Sequence, residues 1–157
     1  MIFKRQFAES VATLSAGLVL LLVFHLPAFA ALGGDVASVQ SDAVSMKASV
    51  RSTPMQAYMV HEIRGSGTVV REYVSPAGTV FAVAWEGPFR PDLRQVLGTY
   101  FQQFQQAVES HSRRVRGPVA IETPGLVVYS SGHMRAFVGK AYIPDMLPQG
   151  VAPESIK

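Results

Sequence analysis

Three histidines beyond the first thirty residues, His61, His111 and His133, are the side chains best suited to ligate a metal or act as a base near neutral pH. Their spacing argues against a metal, because no two stand close enough in sequence to form a ligand pair. His61-Glu62 also lacks the second histidine of the helical zinc-protease motif and falls in a stretch with strand patterning. Ser130 and Ser131 beside His133 place hydroxyls near a base, yet no G-x-S-x-G elbow surrounds them, and turn chemistry accounts for Ser-Ser-Gly-His. Glu62, Glu72 and Glu86 could supply a carboxylate pair for acid–base work, but strand charges facing Arg64 or Arg71 are the commoner outcome. Arg113, Arg114 and Arg116 read as a solvated basic loop, since they lack the extended stripe or interleaved aromatics of a nucleic-acid surface. No catalytic residue, metal ligand or cofactor is therefore assigned. The binding candidates are Arg71, Tyr73, Trp85 and His133, with Tyr73, Phe81, Trp85 and Phe89 forming either an aromatic groove or, for most of them, core.

The chain has no cysteine, which removes thiol nucleophiles, thiolate metal sites, c-type haem attachment and a lipid-modified cysteine. Its start points to export. Met1-Ile-Phe-Lys4-Arg5 gives a positive n-region, Leu14 to Leu26 an apolar h-region, and Pro27 a helix break before the small-residue site Ala28-Phe29-Ala30. Cleavage between Ala30 and Ala31 is expected, the competing reading being an uncleaved anchor over 11–31. Residues 31–157 then suit one domain of common size. The formal charge of +3 is too mild to imply nucleic acid or anionic membrane as partner.

The elements that must hold these residues follow from periodicity. Asp35 is placed to cap a short N-terminal helix with Val36, Val39, Ala43, Val44 and Met46 near one face. Pro54 ends that region, and a strand over Tyr58–Ile63 reverses at Arg64-Gly65-Ser66-Gly67 into a second over Thr68–Val74. Ser75-Pro76-Ala77-Gly78 is the sharpest turn signal, a three-residue loop with a glycine bulge that sets Ser75 opposite Thr79. Continued outward, that register pairs Tyr73 with Phe81, Arg71 with Val83 and Val69 with Trp85, leaving Val70, Glu72, Val74, Val80, Ala82 and Ala84 on a face of small residues suited to helix contact. A four-residue turn would shift these pairs by one. From Pro91 or Asp92, Leu93, Val96, Leu97, Tyr100, Phe101, Phe104, Ala107 and Val108 make one apolar stripe of a long helix. Strands near Leu126–Ser130 and Met134–Tyr142, joined at Ser131-Gly132-His133, complete the pattern, with a further strand possible near Val119–Glu122 and an irregular, partly mobile tail over 144–157. The expected fold is α+β: an antiparallel sheet of about five strands, a long amphipathic helix on one face and a short N-terminal helix.

Several strings recur together in one known group. His61-Glu62-Ile63, Val70-Arg71-Glu72-Tyr73-Val74-Ser75-Pro76-Ala77-Gly78, Val80-Phe81-Ala82-Val83-Ala84-Trp85, Pro91-Asp92-Leu93 and Gly98-Thr99-Tyr100-Phe101 resemble a family of small exported proteobacterial proteins of unknown function. Ala31-Leu32-Gly33-Gly34 and Gly132-His133-Met134-Arg135-Ala136-Phe137 extend the resemblance over nearly all of 31–157. It implies a signal peptide, one domain and no established activity, and it carries over no catalytic or binding residue. The leading expectation is a non-enzymatic periplasmic or secreted module, without a stable membrane anchor after cleavage. It would bind a protein, an envelope component or a small apolar ligand, and not nucleic acid. The alternative is a small hydrolase-type enzyme using His61 or His133 with a glutamate.

Overall fold

Strong β-formers with turn chemistry between them dominate the middle of the chain, and they build one sheet. The computed structural model describes residues 32–36, 39, 44, 47–65, 67–111 and 118–157. The expected signal segment and its cleavage site at Ala30 and Ala31 lie outside these residues, as do most of the expected N-terminal helix and the Arg113, Arg114 and Arg116 loop.

Seven strands, β1 (Ser49–Pro54), β2 (Met59–Gly65), β3 (Thr68–Val74), β4 (Val80–Gly87), β5 (Val119–Thr123), β6 (Leu126–His133) and β7 (Ala136–Tyr142), form a single sheet in the order β1-β2-β3-β4-β7-β6-β5. Every pairing is antiparallel. Helical structure between β4 and β5 runs as α1 (Leu93–Leu97), a 3-10 turn over Gly98–Tyr100 and α2 (Phe101–His111). Asp92 caps α1 by accepting the Arg94 N–H at 2.8 Å, and Gly98 breaks the helix with φ 50°, where a glycine has no Cβ penalty. The long helix expected from periodicity is therefore present but interrupted.

The expected α+β fold with about five strands and a short N-terminal helix is corrected to a mainly β fold of seven strands. Two strands account for the difference. β1 is an exposed edge, so little apolar alternation marks SVRSTP, and Pro54 stands at its end, where an edge tolerates a missing N–H. β5 forms the other edge. Of the expected N-terminal helix, from Asp35 to Met46, only Asp35, Val36, Val39 and Val44 are described, with helical backbone at the three valines.

The β3–β4 turn forms as its sequence dictates. Ser75 N–H donates to Thr79 O at 2.9 Å, Gly78 N–H to Ser75 O at 2.9 Å, and Gly78 sits at φ 84°. Val74 then pairs with Val80, but Tyr73 pairs with Ala82, so Phe81 is an extra residue in a β-bulge. The bulge shifts every later pair by one: Arg71 faces Ala84, and Val70 faces Trp85. The face on which the helices sit thus carries Val70, Glu72, Val74, Val83 and Trp85, while the small Ala82 and Ala84 turn to the other side with Tyr73 and Phe81. The expected contact between small residues and helix is overturned by this single inserted residue.

On the helix face Leu97, Val96 and Ala107 bury against Val83, Trp85, Val128 and Ala141. The indole of Trp85 lies across β7 at Gly139, where a Cβ would stand 2.3 Å from its Cζ2, so the pairing of Trp85 with Gly139 admits no side chain. The opposite face is covered by the chain's last segment, 143–157, which begins where Ile143 N–H donates to Phe81 O at 3.0 Å and makes 3-10 turns at Pro144–Met146 and Pro153–Ser155. Expected to be irregular and partly mobile, it is docked, with Ile156 only 2% exposed against Val60, Tyr73, Ala82, Ala84, Val127 and Tyr142.

Candidate binding site

Alternation along β2 and β3 puts Glu62, Arg64, Arg71 and Tyr73 on the tail face, and β4 adds Glu86. Glu62 and Arg71 are directly opposite in register. Arg71 is the hub of the group. Its Nε donates to Glu62 Oε2 at 3.1 Å, its Nη2 to Glu86 Oε1 at 2.7 Å, and its Nη1 to Lys157 O at 3.3 Å. Arg64 holds the other oxygen of Glu62, with Nη2 at 2.7 Å and Nε at 2.8 Å. Burial alone would raise the Glu62 pKa, but the hydrogen bonds and charges of Arg64 and Arg71 outweigh it and hold the carboxyl below its usual value. Glu62 therefore stays ionised at neutral pH, so it makes a poor general acid.

The tail closes one side of this group by its main chain. Tyr73 Oη donates to Lys157 O at 2.7 Å and accepts from Lys157 N–H at 2.9 Å, while burial raises the phenol's pKa and keeps it protonated. Lys140 Nζ reaches Pro153 O at 2.8 Å and Ile156 O at 3.4 Å. Between the tail and β1 an open cleft of about 480 Å3 remains, lined by Arg51, Met55, Glu62, Arg64, Arg71 and Lys157 among others. A second cleft of about 290 Å3 lies on the other side of the tail, with Ala120, Tyr129, Val138, Lys140 and Ile156 on its walls. There Tyr129 Oη donates to Glu122, and this bond, helped by burial, pushes the phenol pKa up to about 12. The tail is thus a ridge between a charged cleft and a more apolar one.

Of the four binding candidates read from sequence, the structure brings Arg71 and Tyr73 together. Trp85 is on the opposite face and 1% exposed, its indole N–H buried without a hydrogen-bond partner among the described residues. His133 ends β6 at the exposed β6–β7 turn. Glu62 and Glu86 share Arg71, whereas Glu72 faces the helices. His61, also on the helix face, has Nδ1 2.8 Å from Ser52 Oγ and stands across from Glu72 in register. Sequence reasoning missed Arg51, because β1 was not foreseen, and Lys140 and Lys157, because nothing in a proline-rich tail signals where it docks. The alternation of Lys140 with Ala141 along β7 was the one available cue.

Among the described residues no three histidine, aspartate or glutamate side chains are grouped to hold a metal ion. No helix among them is long and apolar enough to cross a membrane. The sequence profile of a family described as "Protein of unknown function (DUF2844)" matches residues 28–156. No curated protein and no solved structure matches the chain.

Proposed function

The chain belongs to the DUF2844 family of proteins of unknown function, and from that premise we propose that it is an exported, non-enzymatic binding module of the cell envelope or extracellular space. One observation carries the binding reading. Among the described residues the sheet face opposite the helices is closed only by a strap of chain, leaving the cleft of about 480 Å3 open beside the Arg64–Glu62–Arg71–Glu86 group. Arginine and lysine at such a mouth suit a ligand that presents carboxylate, phosphate or carbonyl oxygens, and Met55 and Val60 give it an apolar wall. Export rests on the charged start, apolar stretch and A-x-A site of residues 1–30.

A photo-crosslinking amino acid at Arg51 or Met55, on the rim of the cleft, tests the binding reading in cells. Discrete adducts that vanish when Arg71→Met is added support it; adducts indistinguishable from those of a probe at Gln102 on α2 refute it. Export is checked by the N-terminal sequence of the protein recovered outside the cytoplasm: Ala31 is expected, and Met1 overturns cleavage.

A second reading, a small hydrolase, has one observation in its favour. Ser52, His61 and Glu72 are aligned across β1, β2 and β3 on the helix face, with Ser52 Oγ 2.8 Å from the imidazole. A fluorophosphonate that labels the wild type at Ser52 but leaves His61→Ala unmodified would favour this reading over the first.

A further inference from the structure

Pro54 at the end of β1 pairs with Met59 at the start of β2, and the turn between them is closed by Met55 N–H donating to Tyr58 O at 2.8 Å. That turn sets Met55 at the β1–β2 end of the sheet, next to the strand carrying Met59 and His61. Residues two apart on a strand share a face and stand about 6–7 Å apart, so Met59 and His61 project to the same side. All three line one pocket of about 420 Å3, whose other walls include Val36, Tyr58 and Pro76. Met55 is 48% exposed and marks its mouth.

We propose that this pocket binds a soft monovalent d10 cation, Cu(I), through the thioether sulfurs of Met55 and Met59 and the Nε2 of His61. The donor set decides the class of ion. Among the described residues no carboxylate lines the pocket, and two thioethers with an imidazole are ligands that select Cu(I) over hard cations. The imidazole is held for the purpose. Ser52 Oγ engages Nδ1 at 2.8 Å, fixing the ring from behind as the outer partners of metal-bound histidines do, and leaving the other nitrogen for the ion. Burial also lowers the His61 pKa from 6.5, which favours the neutral, ligating form. Without cysteine the chain offers soft donors that do not form disulfides. The pocket opens on the helix side of β2 and shares Met55 with the arginine-lined cleft, whereas Met59 and His61 line this pocket and not that cleft.

Titration of the full chain with Ag(I), a redox-inert analogue, followed by NMR of the methionine methyl groups, tests the site. The Met55 and Met59 resonances are expected to move together and saturate at about one equivalent, with Met134, 93% exposed, and Met146 unmoved. Competition with a chromogenic Cu(I) chelator should show affinity falling at least about tenfold in Met55→Leu and in His61→Ala, and roughly tenfold in Ser52→Ala, in line with losses at outer-shell partners. Met55→Leu alters an exposed turn residue of similar volume, so circular dichroism should show it folded as the wild type. If Met134 shifts over the same Ag(I) range as Met55, binding is adventitious thioether chemistry and the proposal fails. It also fails if His61→Ala retains wild-type Cu(I) affinity.

Discussion

The sheet is covered on its two faces by different means. Over the helix face, α1 and α2 lay Leu97, Val96 and Ala107 onto Trp85, Val83, Val128 and Ala141, residues contributed by segments far apart in the chain. Over the tail face, one strap fixes Ile156, Leu147 and Val151 against Tyr73, Phe81, Ala84 and Tyr142, and its last residues are held by donors on Arg71, Tyr73 and Lys140. The first cover is side chain on side chain and belongs to the cooperative core. The second is a peptide whose main-chain oxygens are gripped by three side chains, an arrangement expected to open at lower cost than the sheet. On the binding reading proposed above, the face closed by a segment held through its main chain and bordered by arginines is the one suited to adapt to a partner.

Trp85→Ala should break the molecule where the comparison says it is strongest. Removing the largest fully buried side chain of the helix face is expected to cost about 3–5 kcal/mol, read as a lowered urea midpoint of the whole sheet. Ile156→Ala is the matching test of the tail face. About 2–3 kcal/mol is expected, and the loss should appear first in hydrogen exchange of residues 151–157 while β6 and β7 keep their protection. Equal protection loss on both faces would remove the distinction. Tyr73→Phe is smaller again. It deletes the hydroxyl that both donates to and accepts from Lys157, so about 1–2 kcal/mol of tail docking should go, measured as faster proteolysis near the chain's end with an unchanged global midpoint.

How much of this was legible in sequence divides along the same line. The β3–β4 turn was readable because Pro76 and Gly78 specify their own backbone, and the stripe from Leu93 to Val108 was readable because one face of it is buried. The pairing beyond that turn was not, because Phe81 enters a bulge that the turn residues do not signal. β1 was hidden by its exposure: a strand that buries neither face need not alternate, and Arg51 was lost with it. Arg71 and Tyr73 could be named as candidates by type and shared strand face, but their joint hold on Lys157 spans more than eighty positions in sequence, a closure that composition does not report. Trp85, which the sequence left open between ligand contact and core, is buried in the helix-face core at 1% exposure.

The smallest effect separates the faces by pH. His61, on the helix side, has its pKa lowered from 6.5 by burial. Between that folded value and 6.5 the unfolded chain binds the proton more readily than the folded one, so stability is full above about pH 6.5 and declines as pH falls below it. His61→Gln should flatten this decline between about pH 7.5 and 5.5. Glu62, on the tail side, is opposed by burial but lowered overall from 4.5 by Arg64 and Arg71. Its contribution is present above about pH 4.5 and is lost as pH drops through the folded value. Glu62→Gln should therefore leave the upper window untouched and flatten only the lower one. Because Glu62 is coupled through Arg71 to the tail, its window should also be the one in which proteolysis at 153–157 accelerates. Urea midpoints and tail cleavage rates followed across both windows would show a single shared transition if the tail and the helix core behaved as one unit, and two displaced transitions if, as the bonding implies, the strap releases on its own.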